Sequence, residues 1–153
     1  MTDFLKWWLV FILLVIVTGV LFYTGFIWIV IASDVTYISV AILFITLLAS
    51  MSIGKDVYQH LYQNKELDFS NYRFIATQLT VWGLIGTIIG FIYMFNGIDF
   101  NNLSKGVDYM AQIATKISNG ASTALYTTLF GAIGSFAILT QLQILKDLEN
   151  EEE

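Results

Sequence analysis

Residues 83–90 read GLIGTIIG, in the middle of a 25-residue run, 74–98, that carries no charged side chain. In water each interior glycine would cost a helix about 1 kcal/mol relative to alanine. A run of roughly 20 apolar residues is long enough to cross a bilayer core. At membrane depth small residues serve a different end: they let helices meet closely where hydrophobicity no longer drives association. The octet therefore reads as part of a membrane-spanning helix that packs tightly against another. Its one polar side chain is the hydroxyl of Thr87.

The rest of the chain supports that reading. Of its 153 residues, 57% are hydrophobic and 12% charged, and the mean hydropathy is +0.72. Soluble domains carry about 25% charged residues. The expected fold class is an all-α integral membrane protein without a separate soluble domain. Charges divide the chain into four apolar stretches, of 27 residues after Lys6, 20 after Asp34, 25 after Arg73 and 29 after Lys116. They predict helices over about 7–33, 36–53, 74–97 and 104–148. The first has too long an apolar core, and too little positive charge before it, for a signal peptide.

The link SDVT, 33–36, is short enough to force an antiparallel hairpin. Basic residues favour the inner side of a membrane. With both termini inside, Lys6, Lys55, Lys65, Arg73 and Lys146 lie inside, and Lys105 and Lys116 outside. Trp7 and Trp8 then suit the inner interface, and Trp28, Tyr37 and Tyr93 the outer one. Asn96-Gly97 signals a turn and Ser104 a helix start. Leu103, Val107, Met110, Ala114 and Ile117 recur at helical spacing. The last helix, 104–148, would span roughly 65 Å at 1.5 Å per residue, about twice the hydrocarbon thickness. It is expected to project beyond the bilayer.

Several function classes lose support. There is no cysteine, so neither a disulfide nor a thiolate metal site is available. The single histidine, His60, has no second histidine at ligand spacing. Nucleophile, base and orienting group do not occur together, so no enzyme, cofactor or metal is expected. GLIGTIIG lacks the spacing and preceding strand of a dinucleotide fingerprint. Seven basic residues leave no nucleic-acid footprint, and the terminal DLENEEE reads as a solvated helix end.

The two halves differ in composition. Residues 7–53 are rich in Val, Ile, Leu and Phe and predict an outer, lipid-facing hairpin. Residues 74–148 carry the small and hydroxylated side chains: Gly83, Gly86 and Gly90 on one helix, and SNGASTALYTTLFGAIGS, 118–135, on the other. Gly86 and Gly90 form a GxxxG pair, and Gly131 lies on the packing face of the last helix. Helix packing accounts for the glycines. Thr80 and Thr87, and Thr128 and Ser135, each lie seven residues apart on one face. Those hydroxyls fit two readings, bonds to the preceding turn or the lining of a polar path.

GLIGTIIGFIYMF (83–95) and ISNGASTALYTTLFGAIGSFA (117–137), in this order on the last two of four helices, resemble the ion-driven channels that include MotA, TolQ and ExbB. The resemblance covers about 77–145. It implies five copies around the transmembrane helices of two MotB-, TolR- or ExbD-like partner chains, each bringing one membrane aspartate. It implies that the last two helices line the pore and that the first two form an outer ring. By position in the motifs, Thr87 and Thr128, with Thr127 beside it, would line the ion pathway. Gly83, Gly86, Gly90 and Gly131 would allow close helix approach. The implied setting is a bacterial inner membrane.

The chain departs from the family pattern in having no proline, so any kink must come from glycine or a hydroxyl. Its connection 54–73 is also too short for the domain that engages a flagellar rotor. The expected function is a compact channel or motor subunit that couples proton or Na⁺ flow to mechanical work. The competing expectation is a non-conducting membrane scaffold whose glycines and threonines serve packing alone.

Overall fold

The computed structural model describes residues 2–63, 69–96, 98 and 106–149. The helices are α1 (Thr2–Tyr23), α2 (Phe26–Ser33), α3 (Ile38–Gln63), α4 (Ser70–Phe95) and α5 (Val107–Glu149). Among the described residues there is no strand. Three helices, α3, α4 and α5, are long and apolar enough to cross a membrane, and α1 with α2 makes a fourth if the bent pair is one span. The chain is thus an all-α, multi-pass membrane protein. Ser104 and Gly97, read as a cap and a turn, lie outside the described residues.

The apolar stretch 7–33 is not one straight helix. It bends by 73° between α1 and α2. Gly25 takes a φ of +77°, which a β-carbon disfavours. Its amide donates to the Phe22 carbonyl at 3.2 Å, and the Thr24 hydroxyl donates to the Leu21 carbonyl at 3.2 Å. These bonds replace part of the helical ladder at the break. At the other extreme, α3 runs ten residues past the expected end at 53. The charges at Lys55 and Asp56 end an apolar stretch, but they do not end a helix once the chain reaches water.

The link 34–37 is a capped turn. The Asp34 carboxylate accepts the Thr36 amide at 3.0 Å, the Thr36 hydroxyl at 2.7 Å and the Ser39 amide at 2.9 Å. It thereby satisfies an orphan donor at the start of α3, as an acidic cap does.

α4 and α5 run antiparallel and form the tightest pair. Gly83 faces Thr127 and Gly131, while Gly90 faces Gly120 and Ala124. α3 runs parallel to α5, with Val35, Thr46 and Ser50 meeting Thr123, Gly134 and Gln141 in that order. α1 is anchored to α3 by Trp7. Its ring lies where a β-carbon on Gly54 would be, 2.0 Å from Cη2, and it stacks on Phe11 at 5.3 Å. The core gathers Ile42, Ile53, Leu79, Ile138 and Leu142 between α3, α4 and α5. Near one end, the Tyr72 hydroxyl donates to the Asp56 carboxylate and ties α4 to α3.

The single chain leaves apolar faces open. Leu9, Leu13, Ile16 and Val20 are exposed along α1. So are Leu84, Ile88, Phe91 and Phe95 along α4, and Leu125, Leu129 and Phe136 along α5.

Candidate functional site

The glycines of α4 bring the two backbones together, and everything at the site follows from that approach. A β-carbon on Gly86 would stand 2.5 Å from Cβ of Thr127. One on Gly90 would stand 2.6 Å from the Ala124 amide nitrogen, and one on Gly131 2.7 Å from the Leu79 carbonyl. Gly83 is slightly less constrained, at 3.0 Å from the Thr127 carbonyl. Gly120, on the facing helix, completes the seam at 2.7 Å from the Gly90 carbonyl.

At this spacing Thr87 and Thr128 meet side chain to side chain. Their hydroxyl oxygens are in direct hydrogen-bond contact across the α4–α5 seam. Thr87 Oγ1 also lies 3.0 Å from the carbonyl of Gly83 in its own helix and 3.2 Å from that of Ala124 in the facing one. Thr128 Oγ1 lies 3.0 Å from the same Ala124 carbonyl. Thr128 is exposed and Thr87 half-buried, so the pair opens onto the surface of the single chain.

The pair is short of protons. Two hydroxyls carry two donor hydrogens, yet they share four contacts: one with each other, two with Ala124 O and one with Gly83 O. Rotating either hydrogen breaks one bond and makes another at small cost. Such a pair can donate to a carboxylate or accept from water or a protonated acid.

Thr127 stands elsewhere. It is fully buried, facing Gly86, and its hydroxyl reaches the carbonyls of Thr123 at 2.8 Å and Ala124 at 3.1 Å. Successive helix positions differ by about 100° in direction, which turns Thr127 into the seam and Thr128 out of it. The carbonyl of Ala124 is thus approached by three hydroxyls, those of Thr87, Thr127 and Thr128.

Four further polar side chains give little sign of their role in the sequence. Thr123 is fully buried and bonds to the 33–35 turn. Asp34 is 1% exposed although it sits in the short link 33–36. Ser50 and Gln141 are both fully buried and exchange two bonds, at 2.9 and 2.7 Å, between α3 and α5. A glutamine in an apolar stretch is a usable signal, because an amide at that depth demands a partner. Among the described residues no group of three or more His, Cys, Asp or Glu comes together.

The profile of the MotA/TolQ/ExbB proton channel family matches residues 57–153. The chain belongs to this family. No curated protein and no solved structure matches it. The matched region begins near the end of α3 and contains α4 and α5, and with them both threonines and the glycine seam. Membership makes the chain an ion-channel or motor-type membrane protein of a family that is not enzymatic. MotA/TolQ/ExbB proteins generally work in oligomers with MotB-, TolR- or ExbD-type partners.

Proposed function

We propose that the chain is a channel and motor subunit that couples proton or Na⁺ flow across a bacterial inner membrane to mechanical work. Five copies surround two copies of a single-helix partner, with both termini of each copy inside and α5 projecting past the bilayer. The observation that carries this reading is the Thr87–Thr128 pair, half open to the outside of the chain, on two spans that contain no carboxylate between 74 and 98 or between 117 and 145. The exposed faces of α4 and α5 are the surfaces that neighbouring copies and the partner helix cover.

The physical logic is that of a shared site. A carboxylate held at bilayer depth costs about 2.5–3.5 kcal/mol even on insertion scales. A ring of proton-short hydroxyl pairs offers donors to that carboxylate when it is ionised, and acceptors when it is protonated. One elementary charge crossing 100 mV releases about 2.3 kcal/mol. Alternately charging and neutralising the partner's acid lets that energy move the ring around it. Thr87 and Thr128 face the ion path, and Thr127 backs them from within the seam.

The test is Thr87→Val with Thr128→Val. Both partners are replaced at nearly constant shape, which leaves no buried orphan and little change in stability. Ion flux per assembled complex should collapse while the oligomer persists. A second reading, a non-conducting scaffold, has one observation in its favour: both hydroxyls already satisfy themselves on carbonyls within the protein. It requires that the double variant behave as the parent does.

A further inference from the structure

We infer that Asp34 and Thr123 are positioning residues that fix α5 at the height where Thr128 meets Thr87. This rests on the ion-path reading above for its functional consequence, but not for its geometry.

Thr123 is fully buried and its hydroxyl is used twice. It donates to the Ser33 carbonyl at 3.2 Å, the last residue of α2, and accepts the Val35 amide at 3.1 Å. One side chain of α5 is thereby seated in the turn between α2 and α3. That turn would be a poor anchor if it could change shape. The Asp34 carboxylate prevents this: both oxygens are engaged, by the Thr36 amide and hydroxyl on one side and the Ser39 amide on the other. Burial of this acid to 1% exposure removes competing water. The turn is further braced where Phe26 of α2 meets Tyr126 of α5 edge to face at 5.9 Å.

From Thr123 the path to the site is one helical turn. The Thr123 carbonyl accepts the Thr127 hydroxyl at 2.8 Å. The next carbonyl, that of Ala124, is where Thr87, Thr127 and Thr128 converge. The α4–α5 seam is mostly glycine, alanine and threonine, with the Thr127 side chain seated over Gly86 as one stop against sliding. The clasp at Thr123 adds a further one, through the turn between α2 and α3. Its loss would let α5 shift along α4 and part the two hydroxyls, and small displacements of reacting groups are costly.

The experiment compares Thr123→Val, Thr123→Ser and Asp34→Asn in the full chain reconstituted with its partner in vesicles. Two quantities are read: ion flux per assembled complex, and amide hydrogen exchange of the peptide covering 33–40. Thr123→Val keeps the shape and removes both bonds. It should lower flux about tenfold and speed exchange at the turn. Thr123→Ser keeps the hydroxyl and should restore both. Asp34→Asn places an amide donor among three donors and should fall between them. Wild-type flux in Thr123→Val, or a Thr123→Ser variant no better than it, overturns the positioning role. If Thr87→Val with Thr128→Val conducts normally, the ion-path reading fails instead. The clasp is then judged on exchange alone: faster exchange in Thr123→Val supports it, and unchanged exchange overturns it.

Discussion

Helix α5 meets α4 and α3 by opposite means. Against α4 it offers glycine, alanine and threonine, and much of the contact is backbone on backbone: Gly90 against Gly120, Gly131 against Gly83 and Leu79. Against α3 it offers specific polar groups at intervals. Thr123 is seated in the 33–35 turn, Gly134 lies under Thr46, and Gln141 is bonded to Ser50. The first interface gives proximity and the second gives register. A hydroxyl pair that must meet across α4 and α5 needs both.

The comparison breaks most visibly in the glycine seam. In Gly90→Val the new β-carbon would meet backbone at 2.6 and 2.7 Å, and neither helix can yield by rotating a side chain. The expected loss is about 3 kcal/mol, read as a fall in the thermal unfolding midpoint of the solubilised oligomer. Unchanged stability would mean that α4 and α5 are not in backbone contact.

A smaller effect is expected where register is held. Ser50→Ala leaves the Gln141 amide buried with one fewer partner and should cost about 1–2 kcal/mol. Adding Gln141→Leu should recover most of it. Strict additivity in this double-mutant cycle would show that the two residues do not interact.

The smallest effect should come from joining α3 to α5 covalently. A β-carbon on Gly134 would lie 3.5 Å from that of Thr46, inside the disulfide range of about 3.5–4.5 Å. The chain has no other cysteine, so oxidised Thr46→Cys with Gly134→Cys can form only this bridge within a subunit. The expected outcome is a mobility shift on a non-reducing gel, with flux close to that of the reduced protein. Complete block on oxidation would show that α3 moves against α5 as the protein works.

The same contrast explains what the sequence disclosed. Spans are written in composition, and the charges at Asp34, Arg73, Asp99 and Lys116 delimit apolar stretches without fixing where a helix bends or ends. The family could be read from the ordered pair of motifs around Thr87 and Thr128, both inside the matched region. Glycine spacing pointed to close packing because that property belongs to one helix at a time. Register was harder to read, since it depends on pairs far apart in sequence. Thr123 looked like one more small hydroxyl in SNGASTALYTT, and its partners lie near residue 34. Gly25 gave no warning of a bend, because glycine in an apolar stretch more often packs than breaks a span. The directions of Thr127 and Thr128 differ by about 100° although the residues adjoin, and only the position of α4 decides which one lies in the seam.

The central claim is that the Thr87–Thr128 pair carries ions, and flux per assembled complex tests it most directly. Thr87→Val with Thr128→Val should abolish flux in vesicles while serine at both positions preserves it, with the oligomer intact in each case. Parental flux from the double-valine protein would contradict the account and leave the pair as packing.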